Sequence, residues 1–218
     1  MTESRTGRRR YDSLRRVAQA KQTHAEIAHA ARRLFVSRGW AATTVRDVAR
    51  EAGVSVPTVY AAYESKKGLV QALVDATDLA ADPSRMVDEL EATSDPGRQL
   101  AGMVGYDRRL FERAGDLIAL VREAGRVEPE LAAAYHQGRH LADQTRVQVF
   151  SAWPENTLRP DLDLPTAVDI YAALCNIDVY TTLTIERGWS PERVERWWTE
   201  ILARELLSRR PETNEPTP

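Results

Sequence analysis

The chain has 218 residues, 43% of them hydrophobic and 28% charged, enough for one large or two smaller domains with a real core and unlike a fibrous or low-complexity chain. Its formal net charge of -2 hides an asymmetry: residues 1–80 carry 14 Lys/Arg against 8 Asp/Glu, and residues 81–218 carry 16 against 24. A single cysteine, Cys175, excludes an intrachain disulfide and points to a reducing, cytoplasmic setting; no apolar run is long enough for a membrane span or follows the early charges as a secretory leader would.

Residues 1–20 are polar and basic, with Arg5, Arg8, Arg9, Arg10, Arg15 and Arg16. They read as a mostly flexible arm, either a solvated tail or a contact for phosphates or a minor groove. From Lys21 a helical rhythm takes over. Ile27, Ala30, Ala31, Leu34 and Phe35 form one apolar stripe, and Gly39 is placed to end that helix. A short helix follows with Thr44 as N-cap, Asp47 at its third position, and Val45, Val48, Ala49 and Ala52 inward. Gly53 suits a turn that needs positive φ. Ser55 caps a third helix with Pro57 in its first turn and Val56, Val59, Tyr60 and Tyr63 at helical spacing. Ser65 caps a fourth, which carries Leu69, Val70, Leu73 and Val74.

Beyond Pro83 the rhythm stays helical, with helices expected near 84–93, 97–113, 115–124, 128–152, 165–187 and 191–208. No useful β alternation or internal repeat is present. The expected domains are an arm (1–20), a helix-turn-helix unit (21–80), a larger helical domain (81–210) and a disordered tail (211–218). The fold class is all-α.

Two short helices joined at a glycine can cross steeply, so that the first braces the backbone and the second enters a major groove. Ala49 supplies the small contact residue, Gly53 the turn and Val59 the anchor behind the second helix. The stretch TTVRDVAREAGVSVPTVYAAYESKKGLVQAL, from Thr43 to Leu73, resembles the DNA-binding domain of TetR-family regulators. The matching positions are Thr44, Val45, Val48, Ala49, Ala52, Gly53, Val54, Ser55, Thr58, Tyr60, Tyr63, Ser65 and Lys66, and the likeness extends over about residues 21–75. It implies phosphate contacts for Thr44, Thr58, Tyr60 and Lys66, and their hydroxyls, phenol and ammonium suit phosphate oxygens. Packing is the other reading of Tyr60. Ser55 adds backbone donors at a helix start. Val56, Pro57, Thr58 and Ala61 are the residues placed to approach base edges, with Arg46 or DNA shape adding specificity. Ala62 stands where the family often has Tyr or His, and Tyr63 where Phe is commoner.

A helix-turn-helix reads two half-sites about 34 Å apart, so a homodimer is expected. Its interface is expected on the last two predicted helices, at Ile170, Leu174, Trp197, Trp198, Ile201 and Leu202; the alternative keeps both tryptophans in the chain's own core. The resemblance also implies a small-molecule effector in the larger domain. Tyr106, Phe111, Tyr135, Trp153, Tyr171, Cys175 and Asp178 are the candidate lining residues, each also readable as ordinary core. Asn176 and Asp178 interrupt an apolar helix and need partners if buried. His136 and His140 sit at i, i+4 without an evident third ligand, so no metal is expected, nor any other cofactor. Nothing assembles a nucleophile, base and oxyanion donor, so no enzyme activity is expected.

The expectation is a regulator, a repressor in its commoner form, that leaves a palindromic operator in double-stranded DNA when an effector binds. The alternatives are a DNA-binding regulator under a protein partner's control and a small helical enzyme that mimics the motif.

Overall fold

The computed structural model describes residues 3–208, with side chains for all of these except 3–14, 16 and 77–80. Among the described residues ten α-helices follow one another: α1 (Glu3–Ala42), α2 (Val45–Glu51), α3 (Val56–Tyr63), α4 (Lys66–Ala80), α5 (Pro83–Glu91), α6 (Pro96–Ala124), α7 (Pro129–Ser151), α8 (Leu164–Leu174), α9 (Ile177–Thr181) and α10 (Pro191–Leu206). A π-helical turn, Thr182–Glu186, follows α9. Among the described residues the only β pairing is an isolated bridge between Leu158 and Leu207.

Prolines open these helices more than they close them. α5, α6, α8 and α10 each begin with Pro in the first turn, where a missing N–H costs nothing. Asp82, Asp95, Asp163 and Ser190 cap them by accepting a backbone N–H from the first turn.

Two hydrophobic cores hold the helices. The first gathers Ile27, Ala30, Ala31, Leu34, Phe35 and Trp40 of α1 with Val48, Ala49, Val59, Leu69, Val70 and Leu73 of α2–α4. It is completed by Leu117, Leu120, Val121 and Ala124 of α6 and Leu131 of α7. It therefore crosses the boundary expected near residue 80. The second gathers Leu100, Met103 and Val104 of α6 with Phe150, Val168, Tyr171, Cys175, Trp198 and Leu202.

Four features differ from the sequence-based expectation. First, α1 reaches back to Glu3, where 1–20 reads as mostly irregular; this stretch has no proline, and its Arg, Leu, Ala and Gln residues favour helix. Gly39 (φ 78, ψ 172) is non-helical and ends the main run of α1 as expected, with a short helical stretch to Ala42 after the kink. Second, the helices expected at 97–113 and 115–124 are one helix of 29 residues. Gly115 is a notch in it, not a break: a Cβ there would lie 2.8 Å from Ile177 Cδ1. Third, the helix expected at 165–187 divides at Cys175. Asn176 caps the second piece, accepting from the Asp178 and Val179 backbone and donating to Ala173 O. Fourth, Trp198 and Leu202, expected at a dimer interface, are fully buried in the chain's own second core. They face inward because α10 turns its Val194–Trp198–Leu202–Leu206 stripe to the second core, against α6 and α8. The tail expected at 211–218 lies outside the described residues.

The join between α3 and α4 is tight. A Cβ at Gly68 would lie 2.1 Å from Tyr63 O, a backbone atom that cannot swing away. Gly68→Ala is expected to cost about 1–3 kcal/mol, as overpacking does, in a urea titration followed by circular dichroism. Wild-type stability in that variant would mean that α4 does not approach the end of α3 so closely.

Candidate nucleic-acid interface

α2 and α3 have seven and eight residues, too few to persist alone in water. Their ends are tied down chemically. Thr44 Oγ1 accepts from Asp47 N at 3.1 Å, and Thr44 N donates to Asp47 Oδ2 at 3.1 Å, a reciprocal capping box. These bonds from Thr44 hold the Asp47 carboxyl below its usual range. Ser55 Oγ accepts from Thr58 N at 3.2 Å and shares a 2.7 Å hydrogen bond with the Thr58 hydroxyl. Gly53 (φ 66) makes the turn between the two helices.

The core then orients α3. Val59 is buried and Val56 is half-buried against the first core. Around the same helix Pro57 and Ala61 are exposed, Tyr60 is 48% exposed, and Thr58 is half-exposed. One face is thus anchored, and the other is open to solvent. Thr44, Arg46 and Ser55 are exposed beside it. Of the nine residues expected at this surface, Thr44, Arg46, Ser55, Pro57, Tyr60 and Ala61 are exposed and Thr58 is half-exposed, whereas Val56 packs against the first core.

Lys66 is placed differently. Its ammonium donates to Trp40 O and sits 3.9 Å from the centre of the Trp40 ring. Burial lowers its pKa. The resemblance gives Lys66 to phosphate, whereas here it clasps the end of α1 to the start of α4. Lys67 pairs with Glu130 (3.0 Å) and Glu128 (3.4 Å) at the start of α7. Arg32 of α1 binds both Asp116 oxygens (3.0 and 2.8 Å) and Arg113 O (2.6 Å) on α6. The α3-bearing unit is therefore pinned to the larger domain by charge as well as by core.

The residues expected to line an effector site do not form one group. Tyr171 and Cys175 meet in the second core beside Asp107 and Arg146. Phe111 packs near Tyr180 and Trp198, with ring centres 5.9 and 6.0 Å away. Trp153 donates to Gln99 Oε1 (2.8 Å) and borders a pocket of about 310 Å³ at the 154–162 loop. Tyr106 is half-buried on α6. Tyr135 packs against the first core instead. Asp178 is exposed and ion-paired with Arg122, so it does not line a buried site.

Sequence reading missed the buried charges Asp107 and Arg146. Arg146 lies 4.5 Å over the Tyr171 ring, 2.7 Å from Asp143 and 3.4 Å from Asp107. Burial pushes the Asp107 carboxyl up against the opposing pull of Arg146. The Tyr171 hydroxyl is fully buried close to Asp107 and makes no well-formed hydrogen bond. The signal was a charge on an apolar stripe: Asp107 continues Leu100, Met103 and Val104, and Arg146 precedes Phe150 by one turn.

A short capped helix held by its apolar edge, after a braced helix and a glycine turn, defines the helix-turn-helix class, here followed by a larger helical domain. Residues 27–73 match the family of bacterial regulatory proteins named tetR. The chain is 40% identical over 78 residues to the HTH-type transcriptional regulator TtgR of Pseudomonas putida, covering 36% of this chain and 37% of that one. It thus spans little more than a third of that relative's length. The fold resembles that of a Saccharomonospora viridis protein assigned to the transcriptional regulators and crystallised with choline, with TM-score 0.70 and 23% identity over 87% of this chain and 100% of that one. It also resembles NalD, the secondary repressor of the MexAB-OprM multidrug efflux pump in Pseudomonas aeruginosa, with TM-score 0.67 and 21% identity over 87% and 98%. The likeness to the tetR family is thus carried by residues 27–73, and the larger domain shares the fold of these neighbours.

Thr44→Ala is expected to remove the capping box and about 1 kcal/mol of stability, read by urea denaturation, while Thr44→Ser keeps most of it. Equal stability of the alanine variant would remove the cap from the account of α2.

Proposed function

We propose that the chain is a sequence-specific DNA-binding transcriptional regulator that works as a homodimer on a palindromic operator, most simply as a repressor. The observation that carries the reading is the open edge of α3: Pro57, Thr58, Tyr60 and Ala61 reach solvent while Val59 fixes the helix from behind. The helix starts at Thr44 and Ser55 present backbone donors and hydroxyls of the kind that hold phosphates. Thr58 and the small apolar edge of Ala61 and Pro57 would meet bases and thymine methyls. Such a protein acts where the chromosome is, in the bacterial cytoplasm.

The dimer surface is the outer side of α8 to α10. Ile170, Leu174, Trp197 and Ile201 stay half-exposed there once Trp198 and Leu202 have turned inward. Trp189 and Trp197 stack edge to face at 6.1 Å, and Ile185 is 78% exposed. An aliphatic and aromatic surface of this kind suits a protein partner.

A small molecule bound in the larger domain would release the operator. Support comes from the choline-bound neighbour in fold and from the under-satisfied Asp107–Arg146–Tyr171 cluster, which a polar ligand could complete. Its effect would reach α3 through α6 and through the Arg32–Asp116 and Lys67–Glu130 pairs. An effector must favour one pose by about 1–3 kcal/mol to matter.

Selection of bound fragments from random duplex DNA is expected to return one palindromic site. Thr58→Ala should weaken binding to that site by roughly 1–3 kcal/mol and leave binding to random duplex unchanged. Recovery of no common sequence would defeat the regulator reading; equal losses on both duplexes would remove base reading from Thr58. Ile170→Glu should convert dimer to monomer in sedimentation analysis, and an unchanged dimer would move the interface elsewhere.

A further inference from the structure

The basic start of the chain is not used by the site just described. We propose that the N-terminal part of α1 is a second duplex-DNA contact, indifferent to sequence, that grips phosphates flanking the segment read by α3. This rests on the DNA-binding reading above and adds a separate surface to it.

Charge is the first support. Residues 1–22 hold seven basic residues, Arg5, Arg8, Arg9, Arg10, Arg15, Arg16 and Lys21, against Glu3 and Asp12. Six of the seven are Arg, whose planar fork fits phosphate oxygens in pairs. The rest of the chain is acidic on balance, so its small net charge gives no hint of this concentration.

Position is the second support. Arg15 and every residue from Val17 to Gln22 are exposed, and among the described side chains of α1 the first fully buried one is Ile27. The described side chains of this stretch, Arg15 and Val17 to Gln22, therefore stand clear of both cores. Its base sits beside the recognition helix: Tyr63, the last residue of α3, donates its hydroxyl to His24 O at 2.8 Å, and the two rings lie 5.2 Å apart. The basic stretch thus leaves the domain next to the end of the element that enters the groove. From Glu3 to His24 the helix runs about 32 Å at 1.5 Å per residue, close to one turn of B-DNA at about 34 Å. Duplex DNA carries one charge per about 1.7 Å of axis, so such a reach meets many phosphates.

The test compares the full chain with its R5Q/R8Q/R9Q/R10Q variant. Gln keeps length and helix propensity, and these positions precede the first core residue, Ile27. Affinity is measured by fluorescence anisotropy from about 50 to 200 mM salt. The duplexes are a minimal site selected from random DNA, the same site with flanks of about one helical turn on each side, and random duplex. Each lost phosphate contact should lower the slope of log affinity on log salt by about 0.9, up to about 3.6 for four arginines. The flanks should tighten binding of the full chain at least severalfold and leave the variant unaffected. Superimposable salt titrations of the two proteins would overturn the arm while leaving α3 as the reader. Slopes that fall without any gain from flanks would also overturn the placement beside the site. A full chain that binds none of the duplexes would overturn this inference and the regulator reading together.

Discussion

Helix α6 belongs to two cores at once, and the arrangement of every other element depends on that. Its first half, through Leu100, Met103 and Val104, packs with α7, α8 and α10. Its second half, through Leu117, Leu120, Val121 and Ala124, closes the core under α1 to α4. Burying a Leu or Val side chain stabilises by about 1.5–3 kcal/mol, so Leu117, Leu120 and Val121 together are a substantial part of what holds a small helical unit. The unit bearing α3 cannot bury its apolar faces without the helix that also frames the larger domain. Close-packed cores deform little and transmit displacement. A change in the second core that rotates or slides α6 is therefore felt under α3, with Arg32–Asp116 and Lys67–Glu130 as further ties between the parts.

The recognition surface shows how little intrinsic helicity is needed when ends and one edge are fixed. α2 and α3 are too short to form alone. Thr44, Asp47 and Ser55 satisfy orphan N–H groups at the helix starts, Gly53 supplies the left-handed turn, and Val48, Ala49 and Val59 supply the burial. With those demands met inside, Pro57, Tyr60 and Ala61 are left free of structural duties. Lys66 marks the limit of the pattern: a residue type suited to phosphate is instead used to satisfy Trp40 O and cover the indole face.

The second core carries the opposite kind of feature. Asp107 and Arg146 are charged groups inside it, and Tyr171 adds a buried hydroxyl without a well-formed hydrogen bond. Burying a charge without full hydrogen bonding is costly. Arg146 offsets part of that cost by pairing with Asp143 and Asp107 and by lying over the Tyr171 ring.

Much of this was legible in the chain itself. The caps Thr44, Ser55 and Ser65, the turn at Gly53 and the anchor Val59 are local facts, because capping and apolar periodicity depend on residues three or four apart. So the all-α class and the helix-turn-helix with its capped, anchored second helix could be read in advance. What needed tertiary structure was every choice between two solvent-averse or two charged options. Trp197 and Trp198 are identical neighbours in sequence, and only the rotation of α10 against α6 and α8 buries one and leaves the other at the surface. Asp178 and Asp107 are both carboxylates on helices near apolar stretches, and only the packing sends one to solvent and Arg122, the other into the core with Arg146. Periodicity tells which face of a helix avoids water; it carries no information about what that face meets, because the partners lie tens of residues away along the chain.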